Sequence, residues 1–291
     1  MARTIHQIKK ELETLEGNVA SLAVELREIY QRYLSSLGKS ATRQFILACY
    51  HICTRCYPQA FLNLSVSQRE NLQQNLQTIG AKIEKNLLFC LTNNSLEEAE
   101  NNTALDTKKE SLFNSGPIEE AKMDRPLSEE KSVQNIKNKS FNPNDPENVI
   151  NWYSRIQLKI NESLIEVSKE TNRLLATKGI FPQKFPDQLF ELALQAEEKS
   201  SSVVGNPNLL NLLIEKSKEV ESEPKRVDKV TAIKLRLSEI EFADPNLDRE
   251  RGQIRNLLSK LEKIREQYRN AQRECAIAEA EAAWRAVWHE Q

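Results

Sequence analysis

Three cysteines, Cys49, Cys53 and Cys56, fall within eight residues of one another. Thiolates at that density are soft ligands suited to zinc or to an iron–sulfur cluster. Gly38-Lys39-Ser40 sets glycine, cation and hydroxyl in the order of a phosphate-cradling loop. His6, followed by Lys9 and Lys10, offers an imidazole as a phosphoryl acceptor. Trp284 and Trp288 flank Arg285 and bring no reactive group, but tryptophan and arginine are favoured anchors where proteins meet. What any of these residues can do depends on the element that carries it.

The spacing C-x3-C-x2-C resembles the iron–sulfur cysteines of radical S-adenosylmethionine enzymes, over those eight residues alone. The resemblance implies a cluster held by an irregular loop on a barrel of strands and helices. Here the cysteines sit in a helical run that places them on one face with Phe45 and Ile52. They are expected to pack as small apolar residues, and Cys90 becomes a fourth ligand only if the third helix returns beside the second. The phosphate loop needs a glycine five residues before Gly38, where Tyr33 stands, and a preceding strand; Gly38 reads instead as a helix stop. His6-Gln7-Ile8-Lys9-Lys10 resembles the H-x-x-K-G of histidine phosphotransfer helices, with Lys10 in the small residue's place, and His6 reads as a solvated surface residue. Only His6, His51 and His289 are present, too few for a histidine metal site. The expectation is a protein without catalytic residues, metal or cofactor.

The elements are long helices. Seven glycines and ten prolines in 291 residues leave little for glycine-rich loops or many-stranded sheets. Ile5, Ile8, Leu12, Leu15, Val19, Leu22, Leu26, Ile29 and Tyr33 keep heptad spacing, which holds one apolar stripe against a partner helix. A second seam runs through Leu247, Ile254, Leu261, Tyr268, Cys275 and Ala282, with Leu257, Ile264, Ala271 and Ala278 beside it. The pattern predicts helices over 3–37, 41–57 (central and buried on several sides) and from Ser65 or Ser67 to Leu91. Residues 93–147 sum to −5, carry scattered apolar residues and read as an acidic disordered linker. Asn144-Asp145-Pro146-Glu147 signals a new helix start, with Val149, Trp152, Ile156, Ile160, Leu164, Val167 and Leu174 as its inward stripe to about Lys178. Helices are then expected over 187–199, 207–221, 225–242 and 246–288, with a break at 200–207 and no strand.

The fold class expected is all-α: a helical bundle with long coiled-coil helices, in two helical regions joined by a disordered linker. The domains would be a 1–92 bundle with its heptad helix, the 93–147 linker, and a 148–291 helical domain ending in a coiled-coil hairpin. The expected function is a non-enzymatic adaptor or scaffold whose partner-binding residues are Leu12, Leu15, Val19, Leu22, Leu26, Ile29, Tyr268, Cys275, Trp284 and Trp288. The two seams either pair within one chain or each recruit another molecule. Association, as a homodimer or with a protein partner, is the expectation, because a 225–242 helix covers less than half of the final seam. The tryptophans either pack on the chain's own 148–222 helices, under Phe181 and Phe185, or form a docking tip. Two alternatives stand behind this: a nucleic-acid-associated regulator using 225–273, which sums to +5, and a metal-dependent enzyme using the three cysteines. Interleaved acids disfavour nucleic acid. The absence of a signal-like or spanning apolar run points to the cytoplasm.

Overall fold

Thr4 Oγ1 accepts from the Gln7 N–H (3.4 Å) while the Gln7 side chain accepts from the Thr4 N–H (3.1 Å), a reciprocal cap that starts a helix. From it runs α1, Ile5–His51, 47 residues and about 70 Å long at 1.5 Å per residue. The computed structural model describes residues 3–100, 141–181, 207–215 and 227–288, with the backbone alone over 92–100, 212–215 and 227–229. Gly38 does not stop α1, and one helix replaces the two expected over 3–37 and 41–57. Its glycine serves packing instead: a Cβ there would lie 2.7 Å from the Glu84 Cα on a neighbouring helix. α1 ends in one wide π-turn, Ile52–Cys56, closed by the Tyr57 N–H on the Ile52 carbonyl (2.9 Å). Pro58 bars the preceding residue from helical geometry, and Tyr57 accordingly sits at φ −131°, ψ 53°.

A short helix α2, Pro58–Leu62, follows. Its last carbonyls, Phe61 and Leu62, accept from the Arg69 guanidinium, which also lies 5.6 Å from the Phe61 ring centre. Ser65 and Gln68 repeat the reciprocal cap and launch α3, Val66–Glu100. Of the linker expected over 93–147, residues 101–140 lie outside the described residues, while both its edges are helical, through Glu100 and from Pro146. α4, Pro146–Thr177, starts where Asp145 accepts from the Glu147 N–H, and buries Val149, Trp152, Ile156, Ile160, Leu164 and Val167. Gly179, at φ +72°, takes the left-handed turn that lets Ile180 N–H reach the Leu175 carbonyl (3.0 Å), the usual glycine stop.

The helices expected over 207–221 and 225–242 are corrected by an antiparallel ribbon, β1 Leu209–Glu215 and β2 Val227–Ile233, with Leu209 opposite Ile233 and Glu215 opposite Val227. The helix expected at 187–199 and the break at 200–207, apart from Pro207, lie outside the described residues. Asn172 on α4 explains why β2 is extended: its side chain donates to the Ile233 carbonyl (2.8 Å) and accepts from the Ile233 N–H (3.0 Å). Tyr57 O–H does the same for Thr231. These side chains hold a strand edge against the helices, a tertiary arrangement that outweighs local helical spacing. Helix α5, Leu237–Phe242, and α6, Pro245–Val287, complete the chain, the latter capped by Asp244.

Four long helices assemble as a ring in which α1 packs on α3, α3 on α4, α4 on α6 and α6 on α1. Side-chain pairs set the directions. Lys82 meets Glu170 and Lys178 meets Asn71, so α3 and α4 are antiparallel. Ser36 meets Glu250 and Tyr268 meets Glu16, so α1 and α6 are antiparallel too. The result is an up-down-up-down bundle whose one contiguous core draws on both helical regions, from Val19 to Leu261. The described residues are thus helical apart from one ribbon, in two helical regions flanking 101–140, as the all-α reading holds. No helix among them is long and apolar enough to cross a membrane.

Candidate protein-docking surfaces

Beyond the bundle, the first turns of α1 and the last turns of α6 continue alone as a two-helix arm. Ile8, Leu15, Ala271 and Cys275 form a small separate core there, flanked by Leu12, Ile264, Tyr268 and Ala278. Lys9 pairs with Glu279 (2.8 Å), Arg3 with Glu11 (2.8 Å) and Glu274 (3.5 Å), and Tyr268 O–H donates to Glu16 (2.9 Å). The hydrogen bond to Glu279 holds the Lys9 ammonium above its usual range and the Glu279 carboxyl below its own. Both groups are exposed, so the pair sets register more than stability.

The two heptad seams therefore face each other within the chain. Leu15, Val19, Leu26, Ile29 and Cys275 are buried, and Leu12, Leu22 and Tyr268 half-buried, under the chain's own helices. The cover that a 225–242 helix cannot supply to the final seam comes from α1 instead. Tryptophan behaves differently. Trp284 and Trp288 are 67% and 64% exposed and stack at 5.6 Å between ring centres. Ile277 and Val287 are exposed beside them. Phe181, one of the residues expected to cover them, packs instead on Tyr57 at the opposite end of α1 (5.5 Å). Phe185 lies outside the described residues.

A second apolar surface lies at that opposite end. The expectation that residues 41–57 are buried on several sides needs correction: Ile46, Leu47 and Tyr50 are each more than half exposed. Ile46 and Tyr50 border a cleft of about 370 Å³ between α1 and α3 with Phe45, Cys49, Cys53, Phe61, Leu72 and Leu76 on its walls. Cys49 and Cys53 are buried and Cys56 half-buried. Burial in apolar surroundings pushes the Cys49 thiol far up and Cys53 up to about 11, which keeps both protonated and poor as nucleophiles at neutral pH. α3 does return along α1, yet Cys90 donates to the Asn86 carbonyl and has Lys159 of α4 in its field, away from the cleft. Among the described residues no three histidine, cysteine or carboxylate groups are placed to hold a metal ion.

Several polar groups inside the bundle form a chain of hydrogen bonds that sequence patterns do not announce. Tyr33 O–H donates to Glu241, Arg251 pairs with Glu241 (3.6 Å) and donates to Gln157 (3.2 Å), and Gln157 donates to Tyr30 O–H (2.8 Å). These bonds join α1, α4, α5 and α6, while Glu250 Oε2 and His51 Nδ1 are buried without a hydrogen-bond partner. In the basic 225–273 stretch, Arg236, Arg251, Arg255 and Arg265 are paired with Glu239, Glu241, Asp248 and Glu147 respectively; Lys225 and Arg226 lie outside the described residues. No family model matches the chain, and no curated protein or solved structure is significantly similar to it.

Proposed function

We propose that this protein is a non-enzymatic adaptor, a coiled-coil scaffold that uses the α1–α6 arm to present a docking tip to another protein in the cytoplasm. The observation that carries the reading is the stacked, exposed Trp284–Trp288 pair with Ile277 and Val287 at the end of a rigid arm. Such a concentration of aromatic surface is costly to leave in water and is typical of the anchor at the centre of an interface. Tyr33, Glu241 and Arg251 inside the bundle are spent on one another, which favours binding over catalysis there. Leu12, Leu15, Val19, Leu22, Leu26, Ile29, Tyr268 and Cys275 then serve the function indirectly, by stiffening the arm.

The test is affinity capture of the tagged full chain from its own cell extract, with partners identified by mass spectrometry. Wild type should retain at least one protein stoichiometrically, and Trp284→Ala/Trp288→Ala should release it while its helical circular dichroism and melting temperature stay unchanged. Equal capture by both forms would remove the tip from the proposal.

A further inference from the structure

The cleft between α1 and α3 has walls from three elements. α1 forms one side and α3 the other, and α2, between them in the chain, adds Phe61. Arg69 holds that ring in place: its guanidinium lies 5.6 Å from the ring centre and bonds to the Phe61 and Leu62 carbonyls. Phe45, Cys49, Cys53, Leu72 and Leu76 are buried and make an apolar floor. At the mouth, Ile46 and Tyr50 are 51% and 57% exposed. The space between them, about 370 Å³, falls in the range of small-molecule sites, about 300–1,000 Å³.

The chemistry of the walls points to one class of ligand. No described residue on them is charged, in a chain where 29% of residues are. A charge brought inside would meet no counter-ion, which favours a neutral occupant. Three aromatic rings, Phe45, Tyr50 and Phe61, stand around two thiols, Cys49 and Cys53. Burial keeps those thiols protonated, and uncharged sulfur and ring faces both make good contacts with a further aromatic ring. An apolar cavity of about 150 Å³ holds one benzene, so this larger space has room for two fused rings. Gln73 and Gln77 stand one turn apart at the exposed rim on α3. Each amide can both donate and accept.

We propose that the cleft binds a neutral two-ring aromatic molecule carrying one hydroxyl or N–H group. Its rings lie against Phe45 and the two thiols, and its polar edge faces the Gln73 and Gln77 amides. The site is at the other end of α1 from the tryptophan tip, so it stands or falls separately from the adaptor reading.

The probe is 2-naphthol, titrated into the full chain while isoleucine and leucine methyl groups are followed by NMR. Saturable shifts should centre on Ile46, Leu72 and Leu76, where the ring current of the probe reaches. 2-Naphthoate, of the same shape but charged, should bind more weakly. Gln73→Ala/Gln77→Ala changes only exposed positions and should leave the melting temperature unchanged. It should weaken 2-naphthol about fivefold, the worth of one neutral hydrogen bond. Cys53→Phe fills the floor with a ring of its own and should abolish binding; should it fail to fold, the glutamine pair still decides. No saturable shift at the three methyl-bearing residues, the result if the chain's own residues or a second copy fill the cleft, would overturn the proposal. So would shifts centred on Ile277 at the tip, 2-naphthoate bound as tightly as 2-naphthol, or unchanged affinity in either folded variant.

Discussion

Gly38→Ala separates a packing glycine from a helix-breaking one. In the interior of a helix, alanine is favoured over glycine by about 0.8–1.0 kcal/mol. Gly17 and Gly252 have nothing within 4 Å of an added Cβ, so alanine at either should stabilise the protein by about that amount. At Gly38 the same methyl would lie 2.7 Å from the Glu84 Cα and 2.8 Å from its Cβ and Cγ. Ordinary carbon contacts need about 3.5–4.0 Å, so α3 must retreat by roughly 0.8 Å. The obstacle is backbone and cannot rotate aside, which puts the cost near the upper end of the overpacking range, about 3 kcal/mol. After the helix-propensity gain, a net loss of about 2 kcal/mol remains, and the Gly17 and Gly38 variants should differ by about 3 kcal/mol. Urea unfolding followed by circular dichroism reads this as midpoints moving in opposite directions at constant slope. Stabilisation of Gly38→Ala to the same degree as Gly17→Ala would refute the close α1–α3 approach.

Two further substitutions or titrations probe the buried polar groups. Asn172→Ala strands the Ile233 N–H and carbonyl, both buried, and should cost about 3 kcal/mol; hydrogen exchange at the Ile233 amide should accelerate, and unchanged protection would contradict its holding role. Burial pushes the Tyr30 and Tyr33 hydroxyls far above 10, with the Glu241 carboxylate adding to the shift at Tyr33. An acid raised on folding stabilises below its unfolded value and loses that contribution as pH climbs past about 10. The phenolate absorbance of these two residues should therefore appear only together with loss of helical signal; complete titration of all tyrosines in a still-helical protein would refute it.

The long helices were legible because their signals are local. The heptads of residues 5–33, the Asp145-Pro146 start and the Pro58 boundary each act within a few residues. Gly38 misled because its reason is Glu84, on another helix. The ribbon misled for two reasons. Val230, Ile233, Leu237 and Ile240 keep helical spacing across what is in fact a strand and a separate short helix, and Leu209–Ile214 is mostly leucine, with Ile214 its one β-branched residue. Tyr57 and Asn172, which hold β2 extended, are far away in sequence. At the candidate site, the position of Trp284 and Trp288 off the seam could be counted from the heptads, but whether the chain's own 148–222 segment covers them could not, because that depends on contacts distant in sequence. The exposed Ile46–Tyr50 face was not readable as surface, since apolar content alone does not distinguish core from patch.

The arm's pairing has a temporal consequence. Tyr268 and Glu16, which meet across it, are 252 positions apart, so the N-terminal seam is made long before the helix that will cover it. During synthesis, at about 5–20 residues per second, that stripe waits roughly 10–50 seconds with leucine and isoleucine uncovered. α1 and α3 can close on each other in that interval, because their contact needs only the first hundred residues. The arm must zip last, against the entropy of the longest loop in the molecule. Slow closure there, and a chaperone's attention to residues 5–33 on the nascent chain, are what such an arrangement of helices asks of the cell.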